Sequence, residues 1–312
     1  MVRFVISITT LPKRLPHIKP VIKSILKTNP DVDKVYLCLP HGDCNVENIN
    51  VDNDLFQIIR CKDYGPITKI LGVLDYETDP NTLILTLDDD VIVTKNIVKL
   101  FKQKAKLYPQ AALSLSGWCY GSFPWKYQLI MSNKKDLYVD WVQGVHGILY
   151  RRSFIDKKEV LKFETRHPLL FKNDDHRISA YLESKGISRI SINKNPINYF
   201  RNYGPASGID AISGGTLSKS VKFWSNVDEV CCYMKKKGYY YRHSSCTYSI
   251  FFVVMIFIFL ALILFLAGYL GLYCCNKIER YYIFALILLV ILTILLCFKI
   301  YKNSYFLQTD HK

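Results

Sequence analysis

Little in this chain of 312 residues is arranged to hold itself together by cross-links. Ten cysteines are present, but they show neither a zinc-ligand spacing nor the framework of a disulfide-stapled domain, so most are expected to be reduced thiols. No internal repeat and no low-complexity linker interrupts the first 245 residues, which excludes a solenoid or a string of small modules. A secretory signal core is also missing. Val2 to Thr9 is too short for one and runs straight into Leu11, Pro12, Lys13 and Arg14, so the N-terminal domain is expected to stay in the cytosol. Acidic residues are scarce: 26 Asp and Glu stand against 41 Lys and Arg, a net charge of +15. That balance suits phosphate-rich partners, namely nucleic acid, anionic lipid head groups or nucleotide-sugars.

Charge is absent altogether from Ile250 to Tyr273, where nearly every residue is Phe, Ile, Leu, Val or Ala. At helical rise this run is long enough to cross a hydrocarbon core of about 30 Å. Tyr281 to Phe298 is a second such run, and the short segment Asn276 to Arg280 between them suits a turn between antiparallel helices. The expectation is a transmembrane hairpin, residues 250–273 and 281–298, followed by a short basic tail, 299–312. Lys235, Lys236, Lys237 and Arg242 precede the first span, and Lys299, Lys302 and Lys312 follow the second. The positive-inside rule then predicts a two-pass protein with both termini cytosolic. The lysine run beside the span is accounted for by head-group attraction and topology, and nucleic acid is not expected as a partner. Cys231/Cys232 and Cys274/Cys275 are adjacent pairs. Cys274 and Cys275, nearest the membrane, are palmitoylation candidates, although their predicted non-cytosolic side favours inert thiols.

Residues 1–245 read as one α/β domain. Arg3 to Thr9 is a β-rich apolar run, Ile18 to Lys27 carries apolar residues three or four apart, and Lys34 to Leu39 and Phe56 to Arg60 read as strands. Thr68 to Leu74 reads as a helix behind the turn at Gly65 and Pro66. Leu83 to Leu87 is a continuous apolar strand of the kind found in a mostly parallel sheet, and ligands in such sheets bind beyond the strand carboxyl ends.

Asp88, Asp89 and Asp90 stand at that end. Adjacent carboxylates repel unless a cation or hydrogen-bond donors neutralise them, and Mg²⁺ or Mn²⁺ is the natural cation because hard ions take oxygen ligands and complete their shell from phosphates. The plainer reading is a solvated acidic turn capping a helix that starts near Thr94 or Lys95. A second pair, Asp174 and Asp175, precedes Ile178, Ala180, Tyr181 and Leu182 at helical spacing. A carboxylate at that helix start is placed to be a general base, and in an inverting sugar transfer one group must take the acceptor hydroxyl's proton while a metal steadies the departing diphosphate. Capping by Asp174 is compatible with chemistry at Asp175.

In these blocks the sequence resembles the GT-A type glycosyltransferases, especially a bacterial and viral group related to family 2. The resemblance rests on Ile6 to Arg14, Asp63 to Lys69, Leu85 to Val91, Gly144 to Gly147 and Asp174 to Leu182, in the family's order, ending with Ile209 to Ile212. It implies a Rossmann-like GT-A fold, a UDP- or GDP-sugar donor bound across the strand ends, Asp88 and Asp90 flanking metal and ribose, and Asp174 or Asp175 near the acceptor. It further implies donor contacts at Asp63 (nucleotide base), Lys69 (diphosphate), Asp88 and Asp89. The ordinary readings are a turn residue for Asp63 and a solvated helix face for Lys69. His146, flanked by Gly144 and Gly147, and His176 are the histidines available to complete a metal shell. Trp118, Tyr120, Phe123, Trp125 and Trp141 suit sugar rings, lipid or a core equally, and the glycine-rich stretch from Tyr203 through Gly215 is a candidate lid.

The expected function is therefore a metal-dependent glycosyltransferase acting at a membrane on a glycan, protein or lipid acceptor. Two alternatives remain. A polyprenyl-phosphate glycosyltransferase also sets its catalytic domain before C-terminal membrane helices, although the acidic motif fits that group less well. A nonenzymatic membrane tether that binds anionic lipid or nucleic acid leaves both aspartate clusters unexplained.

Overall fold

The computed structural model describes residues 2–203, apart from 43–45, 47–48, 50, 121–126, 132–133, 164–166 and 172, together with 229–234, 236–237, 239, 255, 259 and 262–263. The chain divides into two compact units, Met1–Tyr120 with Tyr127–His243, and Gly121–Lys126 with Ser244–Lys312. Every strand and helix named below belongs to the first. The first expected membrane span apart from residues 255, 259 and 262–263, the whole of the second, the basic tail and nearly all of the glycine-rich stretch lie outside the described residues. Among the described residues no helix is long and apolar enough to cross a membrane.

The first half alternates strands and helices as the hydrophobic pattern predicts: β1 (Phe4–Thr9), α1 (Ile18–Thr28), β2 (Lys34–Pro40), β3 (Phe56–Cys61), the single-turn helix α2 (Thr68–Leu71) and β4 (Leu83–Leu87). On α1, Ile18, Val21, Ile22 and Ile25 are buried, the stripe of a helix laid against a sheet. Strands β1, β2 and β4 are apolar almost throughout because the sheet is covered on both faces. β1 lies between β2 and β4, parallel to each, and β2 pairs in parallel with β3.

The second half carries β5 (Val91–Val93), α3 (Ile97–Leu107), β6 (Ala111–Ser114), β7 (Ser116–Tyr120), β8 (Tyr127–Met131), β9 (Leu137–Tyr138), β10 (Trp141–Val142), β11 (Ile148–Arg151), α4 (Lys157–Lys162), α5 (Asp174–Ser184), β12 (Ser188–Ser191) and β13 (Phe200–Asn202). The main sheet has eight strands in the order β3-β2-β1-β4-β11-β6-β12-β9. Here the mostly parallel expectation gives way to a mixed sheet. β11 runs antiparallel to both β4 and β6, and only β12 resumes a parallel pairing, with β6. Two small sheets, β10-β7-β8 and β13-β5, complete the unit.

Two local findings bear on the site. Helix α3 starts at Ile97 rather than Thr94 or Lys95. Its cap is Asn96, whose side chain accepts from Lys99 N at 2.8 Å, and Asn29 Oδ1 accepts from Ile97 N and Val98 N at 2.8 and 3.1 Å. Since β5 lies between, Asp88 to Asp90 do not cap that helix. At the amino ends of β1 and β4, buried Glu77 binds Arg3 Nη2 and Nε at 2.7 and 2.8 Å and accepts from Tyr36 Oη at 2.7 Å. These contacts join Arg3, Tyr36 and Glu77, so that end of the sheet is cross-linked by polar interactions.

The turn entering β11 depends on Gly147, whose φ of 87° and ψ of 145° are strained for any residue with a Cβ. A Cβ there would lie 2.8 Å from Leu87 Cδ2 and 3.2 Å from Thr86 O, so the turn sits against β4. Gly147→Ala is expected to lower stability by about 2 kcal/mol, read from the urea midpoint of the tryptophan fluorescence transition.

Candidate active site

The carboxyl end of β4 runs into Asp88, Asp89 and Asp90, and each meets different surroundings. Asp88 Oδ1 accepts from Lys69 Nζ at 2.7 Å. Asp89 turns inward, only 6% exposed, where Thr10 Oγ1 and Arg14 Nη1 donate to its two oxygens. Asp90 has the weaker match of Arg14 Nη2 at 3.9 Å. Its pKa is pushed up to about 6 by burial and then by the charges of Asp88 and Asp89. Asp89, expected to touch the donor, is thus held by the segment that follows β1, and the side chains reaching solvent are Asp88 and Asp90, 32% and 29% exposed.

Lys69 is brought here by α2, whose four residues are all buried and which packs against β1, β2 and β4. The turn before it is set by Gly65, at φ 71°, whose N–H donates to Asp63 Oδ1 at 2.8 Å, and by Tyr64 N donating to Thr68 Oγ1 at 2.9 Å. Asp63 is exposed and occupied in this turn, the ordinary role its position allows. Lys69, by contrast, is no solvated helix face. It is 7% exposed, and its ammonium bridges Asp88 and Asp174 Oδ2, the latter at 3.0 Å. Burial alone would lower its pKa, but the charges of Asp174, Asp88 and Asp175 outweigh that and hold it well above the ordinary lysine value.

Asp174 and Asp175 form the first turn of α5, where exposed helix N–H groups favour carboxylates. The cap position is Asn173, so Asp174 is the first helical residue rather than the cap. Asp175 Oδ1 accepts from Gly144 N at 3.0 Å. A Cβ on Gly144 would lie 2.9 Å from that oxygen and 3.3 Å from Lys69 Nζ, so the absence of a side chain lets a carboxylate and an ammonium of the chain itself come close here. Burial, then the charge of Asp174, raises the Asp175 pKa well above the usual carboxylate range, against the opposing pull of Lys69 and Gly144 N–H. Tyr150 on β11 lies within the field of Asp175. Its hydroxyl is raised well above the normal tyrosine value, by burial first and Asp175 second.

The two histidines separate. His146, half-buried, places Nδ1 3.3 Å from Ser116 Oγ and its ring 5.8 Å from Phe200, and burial lowers its pKa against the charge of Asp88. It therefore stays within electrostatic range of the acidic cluster. His176 is packed into the core, its ring 4.8 Å from Trp141 and its Nε2 3.6 Å from Cys231 Sγ. Trp141, itself buried, stacks on Trp118 at 6.0 Å and an interplanar angle of 11°. This part of the aromatic middle is core, and the side chains of Tyr120, Phe123 and Trp125 lie outside the described residues.

Among the described residues no group of three or more His, Cys, Asp and Glu side chains converges as a metal cage. The donor chemistry nevertheless fits Mg²⁺ or Mn²⁺. Asp88 and Asp90 offer hard oxygens toward solvent, Asp90 lacks a close counter-charge, and such ions take their remaining ligands from phosphate and water. Asp88, Lys69, Asp174, Asp175 and Gly144 meet at one point, and Thr10 and Arg14 support it from beneath. The roles of Thr10 and Arg14 were not read from sequence, although both belong to the opening block Ile6 to Arg14.

No protein-family model matches the chain, and no curated protein does. Among solved structures, the chain is similar to an active-site mutant of LgtC at 13% identity and a TM-score of 0.35, over 55% of this chain and 65% of that one. It thus spans slightly less than two thirds of that protein's length.

Burial depresses the His176 pKa to about 4. A histidine kept neutral in the fold contributes stability that is present above its unfolded value, about 6.5, and is lost as pH falls from there through about 4. His176→Phe, which keeps a ring against Trp141, is expected to remove about 3 kcal/mol of the acid dependence of stability, measured as the difference between urea unfolding at pH 7 and pH 4 in the two proteins.

Proposed function

We propose that this chain is a metal-dependent glycosyltransferase that moves a sugar from a UDP- or GDP-sugar to a glycan, protein or lipid acceptor at a membrane, with inversion. The observation that carries the reading is the convergence on Lys69. One buried ammonium joins Asp88, at the end of β4, to Asp174, at the start of α5, with Asp175 held alongside by Gly144 N–H. Three blocks far apart in sequence thus supply a hard-oxygen cluster, a cation of the kind that meets phosphate, and a carboxyl of raised proton affinity at the end of the sheet where ligands bind.

In this mechanism Asp88 and Asp90 would hold Mn²⁺ or Mg²⁺, which would supply positive charge to the departing diphosphate. Lys69 meets the diphosphate as a second positive charge. Asp175 takes the proton of the acceptor hydroxyl as that oxygen bonds to the sugar's anomeric carbon and the bond from that carbon to the diphosphate breaks. Asp174 acts at one remove, anchoring Lys69 and raising the proton affinity of Asp175 by its charge. Asp63, exposed at its turn, is left for the nucleotide base, and His146, within the field of Asp88, is the further metal contact. The membrane setting rests on the two uncharged apolar runs of the sequence, and both termini are proposed to face the cytosol.

The decisive measurement is a panel of UDP- and GDP-sugars offered to the purified full chain with Mn²⁺. Donor binding and metal-dependent hydrolysis or transfer are expected, with at least about a hundredfold loss in Asp88→Ala and Asp90→Ala. A protein that binds and turns over none of the panel is not a sugar transferase, and a tether would keep its membrane binding in both variants. With an active donor, kcat/KM should rise with pH along an acid limb above the ordinary carboxylate range, because Asp175 must lose its proton to act as base and its pKa is raised. A limb at ordinary carboxylate pH would remove Asp175 from that role.

A further inference from the structure

Lys69 raises a question of charge that the transfer reaction alone does not answer. An ammonium makes at most three hydrogen bonds, and two of this one's partners are the carboxylates of Asp88 and Asp174, at 2.7 and 3.0 Å. On another side Gly144 stands close enough that a Cβ there would lie 3.3 Å from Nζ. With 7% of the residue exposed, water does little to solvate the charge, so the two carboxylates are what keep it tolerable inside the fold.

Asp88 is also a carboxylate that the transferase reading gives to the metal. A divalent cation on Asp88 would take charge away from Lys69 and set two positive centres a few ångströms apart, an unfavourable arrangement in a poorly solvated site. A nucleoside diphosphate reverses this, because it brings negative charge that can match metal and ammonium together. Asp90 does not relieve the conflict, for its cationic neighbour is Arg14, which is already committed to Asp89.

We infer that Lys69 is an internal counter-ion that occupies Asp88 in the donor-free protein and so makes metal binding depend on the nucleotide diphosphate. The inference rests on the transferase reading and extends it to the order of loading: metal and donor enter together, with Lys69 passing from carboxylate to phosphate. Neutral Lys69 variants then hold metal well but lose the coupling.

The test measures free Mn²⁺ by electron paramagnetic resonance during titration of the full chain in detergent micelles, with and without UDP or GDP. Lys69→Met, similar in length and uncharged, is expected to bind Mn²⁺ about tenfold or more tightly than the wild type without nucleotide, and adding Asp88→Ala should abolish the gain. The wild type is expected to tighten about tenfold on addition of the nucleotide it binds, and Lys69→Met much less. Folded Lys69→Met that binds Mn²⁺ no better than the wild type overturns the inference. So does a wild type that binds UDP or GDP yet holds Mn²⁺ equally with and without it. Lys69→Gln carries the same expectation if Lys69→Met does not fold. Failure of the transferase reading registers separately: no nucleotide binds, whereas the Asp88-dependent Mn²⁺ gain in Lys69→Met persists and supports the counter-ion role.

Discussion

β4 hydrogen-bonds along its length to β1 on one side and β11 on the other, and the site is built outward from its carboxyl end. The parallel pairing with β1 brings the segment after β1, with Thr10 and Arg14, to the same end as Asp88 to Asp90. The antiparallel pairing with β11 places the start of that strand at this end too, so Gly144 and Gly147 arrive there by register: Ile148 lies opposite Thr86. Were β11 parallel, its entry turn would lie at the far end of β4, and Asp175 would lose the Gly144 N–H that holds it. The mixed character of the sheet is therefore a condition of the site.

What was legible in the sequence follows from what local pattern can carry. β1, α1, β2, β3 and β4 appear within a residue or so of the spans read from the sequence, because burial on both faces writes a nearly continuous apolar run into β1, β2 and β4 and burial on one side writes a stripe into the helix, while the edge strand β3 is only partly buried. The candidates Lys69, Asp88, Asp174 and Asp175 could be named from strand ends, helix starts and an ordered resemblance, and the fold brings them together. The start of α3 was hidden because Asn29, from another element, accepts its first N–H groups, and the β-branched Val91 to Val93 is too short a run to be read as a strand without its partner β13. The antiparallel β11 was hidden for a similar reason. Strand direction is a tertiary choice, and Ile148 to Tyr150 reads the same either way.

Side-chain direction was the least legible feature. Asp88, Asp89 and Asp90 are identical in sequence, yet Asp89 faces Thr10 and Arg14, roughly 75 to 79 residues away, and only its neighbours reach solvent. The surroundings of the glycines were equally hidden, for a Cβ would meet Leu87 and Thr86 at Gly147 and Asp175 and Lys69 at Gly144, contacts that no local pattern carries. His176 shows the same limit. A histidine beside two carboxylates looks like a metal ligand, but helix geometry turns the residue after Asp175 inward onto Trp141.

The two cations of the site differ in a way that matches their tasks. Arg14 presents a planar fork, always charged, and its hold on Asp89 is backed by a hydroxyl from Thr10; such a clamp is rigid and favours one arrangement. Lys69 is a point charge on a flexible stem, and its two carboxylates come from different elements, so either contact can be released without breaking the other. A triplet held by two arginines would be stable and inert, because each guanidinium would have to give up paired hydrogen bonds before a ligand could enter. With one arginine below and one lysine above, the cluster keeps a fixed floor and an exchangeable partner. In the proposed mechanism the exchange falls on Asp88, and because the charges of Asp88 and Lys69 both act on Asp175, charge arriving at Asp88 would be felt at the carboxyl proposed as base.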